Sequence, residues 1–209
     1  MAFTRNGYGQ VEPNQLSAQK TGQIYASLPL ASDVDILQNG EFMYYDYKSG
    51  TVTADGVGEP MLVFNEVKLY EPFWQTSYKD FAMIRVGDNY VTSRLATAGY
   101  GDGAETESVT PIPGHSDLQA GYRMDGIAPR LFKTNIGDIF TTNMVETGNE
   151  ITYSQGDILK LKKVAKAADK TGNTLVLSKT GNIDALEFVV AKVYTMPDGQ
   201  PGLKLQRIK

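Results

Sequence analysis

VDILQNGEFMYYDY, residues 34–47, sets two short runs of β-branched, aliphatic and aromatic residues on either side of Asn39-Gly40. Alternation of polar and apolar residues over a few positions fits a strand with one buried face. An Asn-Gly pair between two such runs supplies the positive φ that a tight turn requires, since glycine has no Cβ to clash. The same grammar extends outward. GQIYASLPL (22–30) precedes it, TVTA (51–54) follows it, and Ser49-Gly50 and Asp55-Gly56 read as further positive-φ turns.

Downstream the pattern continues through EPMLVFNEVKLYEPFW (59–74), DFAMIRV (80–86), Gly87-Asp88-Asn89 and YVTSRLAT (90–97), with KDFAMIRV also compatible with a short helix. RLFKTNIGDIFTTNMV (130–145) sets Phe132, Ile136, Ile139 and Phe140 around a Gly137-Asp138 kink, and ITYSQGDILKLKKVAKAA (151–168) alternates again. TLVLSKT (174–180), ALEFVVAKVYTM (185–196) and GLKLQRI (202–208) follow, separated by Gly172-Asn173, Gly181-Asn182 and Pro197-Asp198-Gly199. Many short strands at regular turn spacing predict an all-β chain, a sandwich or barrel. Residues 1–20, rich in Asn, Gln, Gly and Ser, read as an extended N-terminal arm that needs a neighbour. Residues 21–147 read as a β-rich domain with a long loop at 99–117. Beyond Thr147-Gly148-Asn149, residues 148–209 read as a small barrel-like β part.

Composition narrows the function. The 209 residues are 41% hydrophobic and 21% charged, which is enough apolar material for a core and too little charge for a disordered chain. A formal net charge of -4 gives no long-range attraction to phosphate backbones or anionic bilayers, so neither nucleic acid nor membrane is an expected partner. With no cysteine, disulfides, thiolate nucleophiles and sulfur-ligated zinc are excluded. MAFTRNGYGQVEPNQ has no apolar run after its arginine, so no secretory leader is expected.

Few residues carry chemistry. His115 is the sole histidine, in the loop GYGDGAETESVTPIPGHSD (99–117), and no Gly-x-Ser-x-Gly elbow accompanies it. Asp102, Glu105 and Glu107 lack the ligand spacing of a Ca²⁺ loop. Asp33 and Asp35 lie two apart, with Glu41 beyond the turn, a pattern commoner on an exposed strand face than in a sugar-cleaving pair. Gly99, Gly101 and Gly103 resemble a phosphate loop in composition alone. Lys160, Lys162, Lys163, Lys166 and Lys170 form a basic patch that either solvates a strand face or docks on an acidic partner. No catalytic, cofactor or metal residue is assigned, and the protein is expected not to be an enzyme. The candidate partner contacts are Phe3, Arg5 and Tyr8 on the arm, Tyr70, Phe73 and Trp74 in LYEPFW, Tyr100 in the loop, and Lys162 and Lys163. The LYEPFW aromatics fit a core equally well.

Three phrases, MAFTRNGYGQVEPNQLSAQKTGQIYASLPL (1–30), YRMDGIAPRLFKTNIGDIFTTN (122–143) and AKVYTMPDGQPGLKLQRI (191–208), give the chain a resemblance to structural proteins of tailed bacteriophages. It resembles in particular the small head-associated proteins that accompany the major capsid protein. The resemblance implies a non-enzymatic capsid decoration or cement protein without a cofactor. It would be made in the host cytoplasm and carried in the virion, binding the major capsid protein and neighbouring copies of itself as a homo-oligomer such as a trimer. A carbohydrate-binding or carbohydrate-cleaving virion protein, and a tail or connector component, are the competing expectations. Glycan binding separates the first of these from a shell protein, and copy number per particle the second.

Overall fold

A computed structural model describes residue 3 and residues 9–31, 33–34, 36–65, 83–85, 128–148, 150–166, 172–196 and 199–209. In chain order the elements are β1 (Val11–Gln15), α1 (Ala18–Thr21), β2 (Ile24–Tyr25), β3 (Ile36–Gln38), β4 (Phe42–Asp46), β5 (Thr51–Thr53), β6 (Met61–Val63), β7 (Met83–Arg85), β8 (Leu131–Phe132), β9 (Ile139–Thr142), β10 (Ile158–Ala165), β11 (Asn173–Ser178), β12 (Ile183–Thr195) and β13 (Pro201–Arg207). Strands hold 48% of the described residues and helix 3%, so the chain is all-β. One antiparallel sheet runs β1-β9-β13-β12-β10-β11-β4-β6-β8-β2, with β5 joined to β4, and β3 pairs with β7 in a second, two-stranded sheet. Met83–Arg85, in the segment also compatible with a helix, is therefore a strand.

The long sheet curls into a half-barrel, and three phenylalanines show why. Phe140 on β9 and Phe42 on β4 are five strand positions apart, about 24 Å in a flat sheet at the usual strand spacing. Their rings nevertheless meet at 6.2 Å, and each packs on Phe188 of β12 at 5.6 Å. All three are fully buried, so closing the curl around them removes a large aromatic area from water. Leu159, Leu161, Leu175, Leu203 and Leu205 complete this inner core.

Strands β4, β6 and β8 are covered on both faces. Successive residues of a strand point to opposite sides, and the fully buried neighbours Phe42/Met43, Leu62/Val63 and Phe132/Leu131 divide between two clusters. The second cluster gathers Val34, Leu37, Tyr45 and Val52 on the outer face. Simple alternation would have left that face polar.

The N-terminal stretch finds its neighbour within the chain. β1 pairs with β9, and Pro13 sits where the register shifts between Glu12 and Gln15, a tolerated place for a residue with no N–H. Phe3 is buried edge-on against Tyr153 at 5.5 Å, and its N–H donates to Ile151 O at 3.0 Å. Likewise the sheet passes through the expected boundary at 147/148, because β9 pairs with β13 and β4 with β11.

Among the expected turns, Gly40 has φ 91° and Gly50 φ 70°. Gly56 is different: its φ is not positive, and glycine is needed because a Cβ would overlap the Tyr44 side chain. At the kink, Gly137 has φ 95°, while Asp138 accepts hydrogen bonds from Ser17 N, Ser17 Oγ and Asn135 N.

Deleting residues 1–15 should lower stability by at least about 3 kcal/mol, the lower end for losing one buried phenylalanine, since β1 goes with it. Urea unfolding of the truncated and full chains measures this; equal midpoints would show that Phe3 and β1 add nothing.

Candidate functional site

β10 carries the basic patch, and its alternation decides where each lysine goes. Leu159 and Leu161 enter the inner core. Lys160, Lys162 and Lys166 have the opposite parity and project to the other side, while Lys163 shares the parity of the leucines. Each of these four ammonium groups meets a carboxylate from a different segment. Lys160 Nζ lies 2.6 Å from Asp184 Oδ1 and 3.5 Å from Glu187 Oε1, both on β12. Lys162 reaches Glu146 at 2.5 Å, in the stretch after β9, and Lys163 reaches Asp55 at 2.5 Å, just past β5. Lys166 donates to both oxygens of Glu41, at 2.9 and 3.0 Å. Lys170 lies outside the described residues.

Glu146 is the centre of a polar cluster. Its carboxylate accepts from Lys162 Nζ, Ser178 Oγ and, at 3.2 Å, Thr180 Oγ1, while its main-chain carbonyl accepts from Tyr153 OH at 2.8 Å. Partial burial opposes its ionisation, but the hydrogen bonds from Lys162, Ser178 and Thr180 outweigh it and hold the carboxyl below its ordinary value of 4.5. Burial, seconded by the charges of Glu146 and Asp157, pushes the Tyr153 phenol up. Ser178 is fully buried, so its hydroxyl serves as a fastener and not as a nucleophile.

The Glu41–Lys166 pair differs in burial. The two side chains are 2% and 3% exposed, whereas Lys160, Lys162 and Lys163 keep about a third of their surface in water. Glu41 closes a turn in which every residue but glycine is a buried polar one: Gln38, Asn39 and Glu41 are 8%, 7% and 1% exposed. Gln38 Oε1 accepts from Gly9 N at 2.6 Å, Asn39 Oδ1 from Asn65 N at 2.6 Å, and Glu41 N donates to Gln38 O at 3.3 Å. Gly40 N donates to Val63 O at 2.9 Å while Val63 N donates to Glu41 O at 2.8 Å, so two residues face one in a glycine-led bulge. A side chain at Gly40 would overlap Thr142 Oγ1. Glu41, placed by sequence with Asp33 and Asp35 on an exposed face, is instead sealed against a cation. It presents no carboxylate to a cleft.

Of the sequence-derived contacts, Phe3 is in the core and Lys162 and Lys163 are ion-paired. Arg5, Tyr8, Tyr70, Phe73, Trp74 and Tyr100 lie outside the described residues, as do Asp35, Asp102, Glu105, Glu107 and His115. The chain between β6 and β8 leaves and returns at one antiparallel neck, where Phe64 N donates to Arg130 O at 3.0 Å and Arg130 N to Asn65 Oδ1 at 2.9 Å. The roles of Glu41 and Glu146 were missed because neither sits in a motif; the parity of Lys160, Lys162 and Lys166 was the available signal. Among the described residues no group of three or more His, Cys, Asp or Glu is placed to hold a metal ion, and no helix is long and apolar enough to cross a membrane. Comparison with protein families, curated proteins and solved structures gives no match.

Removing one member of the buried pair, Lys166→Met or Glu41→Gln, should destabilise the fold by about 3–5 kcal/mol, because the remaining charge stays buried without its partner. The double variant Glu41→Gln/Lys166→Met should lose less than the two single losses combined; additive losses in urea unfolding would mean that the groups do not interact. In acid, the contribution of Glu146 is complete above its unfolded value of 4.5 and disappears as pH falls through the lower folded value. Glu146→Gln should therefore flatten the decline of the unfolding midpoint below that pH, and an unchanged slope would remove Glu146 from the account.

Proposed function

We propose that this chain is a non-enzymatic structural protein of a virion that lies on the capsid shell and stabilises it through many weak contacts with shell protein and with its own copies. The observation that carries the proposal is what stays exposed once the inner bonds are made. Tyr47, Val57, Ile136 and Ile158 are 75%, 86%, 72% and 52% exposed, while the lysine strand is neutralised from within. The ends of the sheet order, β1 and β2, each have one strand neighbour among the described residues. Strand edges and exposed apolar side chains are the materials of strand addition and anchor contacts, and repetition over a shell turns weak contacts into lasting attachment. The resemblance to head-associated phage proteins supplies the kind of neighbour. The internal pairing of Lys162 and Lys163 shifts the expected contact away from an electrostatic patch and towards these apolar positions.

Purified protein should co-sediment saturably with phage shells that lack it, and Val57→Glu/Ile136→Glu should weaken that binding while leaving the unfolding midpoint unchanged. Copies per particle distinguish shell from connector. A protein that stays monomeric and leaves the shells bare at any concentration would overturn the proposal.

A further inference from the structure

The chain has two Asn-Gly pairs, Asn6-Gly7 and Asn39-Gly40. Asparagine followed by glycine is the dipeptide most open to spontaneous deamidation, because no side chain hinders the following nitrogen. That nitrogen attacks the asparagine Cγ, forming an N–C bond; the Cγ–Nδ2 bond breaks and ammonia departs. Water then opens the cyclic imide to aspartate or isoaspartate, so that the amide and one water become an acid and ammonia.

Each reacting group at Asn39-Gly40 is held out of this reaction. The attacking nitrogen, Gly40 N, donates its proton to Val63 O at 2.9 Å. The group under attack is fixed by its own oxygen, since Asn39 Oδ1 accepts from Asn65 N at 2.6 Å. Water is kept away, with Asn39 7% exposed and the flanking Gln38 and Glu41 buried as well. Swinging the carboxamide onto Gly40 N requires both hydrogen bonds to break, in a turn where Gly40 lies close against Thr142 and Met144.

We propose that Asn39 is a modification site gated by the fold: its amide survives while the Gln38–Glu41 turn is closed and converts to an acid when the turn opens. The conversion is irreversible. An aspartate at this position adds a second buried anion to a turn in which Lys166 already balances Glu41, and an isoaspartate lengthens the main chain inside a buried turn. A molecule that has opened once therefore closes less well afterwards, and Asn39 keeps a chemical record of the opening.

The test is a time course at mildly alkaline pH and a series of urea concentrations. Peptide mapping reads the acid formed at Asn39 and Asn6, and hydrogen exchange reads the Gly40 amide in parallel samples. In the unfolded chain both asparagines should convert at similar rates. In the folded chain Asn39 should convert at least about tenfold more slowly, equivalent to an opening free energy of about 1.4 kcal/mol. Across the series its rate should follow exchange of the Gly40 amide. Gln38→Ala, which frees Gly9 N from the turn, should speed both rates together. Equal Asn39 rates in folded and unfolded chains would overturn the proposal, as would an Asn39 rate that ignores Gly40 exchange or an Asn39 that stays intact even when unfolded.

Discussion

A carboxylate and an ammonium group sealed together at Glu41 and Lys166 fix the terms on which the rest of the sheet assembles. Neither group tolerates burial alone, so the turn before β4 and the end of β10 must arrive at one place at once. A slip of one residue in β4 would turn Glu41 towards the ring cluster of Phe42, Phe140 and Phe188, where no cation waits, and would point Phe42 the other way. The pair thus acts on register as much as on energy. Its geometry in turn relies on Gly40, on Gln38 holding Gly9, and on Asn39 holding Asn65. Three distant segments meet at a turn of four residues.

Around that point the sheet divides its labour by face. The concave side is aromatic and aliphatic, and its curvature follows from rings that meet across five strand positions. On the other side of β10, lysines tie together β12, the stretch after β9 and the turn before β4, each through a different carboxylate. The half-exposed pairs are each worth little, but that to Glu146 gains from Ser178 and Thr180, which share the same carboxylate. The lysines of β10 and the residue that follows it are therefore met by carboxylates of the same chain. In the proposed shell-binding role, contact would fall to the side chains and strand edges that remain outside.

Much of this was legible in the residues. Short alternating runs with glycine turns gave the all-β class, and Gly40, Gly50 and Gly137 mark turns where they were expected. Less could be read from polar residues. Gln38, Asn39 and Glu41 look like loop residues by composition, because what buries them is a set of partners at positions 9, 65 and 166 that no local pattern announces. Phe3 stands in a polar stretch, and its partner Tyr153 is equally remote. The two-sided burial of β4 was written in the adjacent pair Phe42-Met43, but period-two reasoning assigns one of them to solvent. DFAMIRV read as a strand with a short helix also compatible, and pairing of Met83–Arg85 with β3 decides for the strand.

The order of strands across the sheet has little to do with their order in the chain. Phe42 waits for Leu175, Val11 for Thr142, and Phe140 for Leu205. During synthesis the early strands leave the ribosome with their partners still untranslated, so apolar faces and open edges stay uncovered until almost the whole polypeptide has emerged. Such high contact order makes for slow folding, with apolar surface and strand edges open to aggregation while the chain waits for its partners.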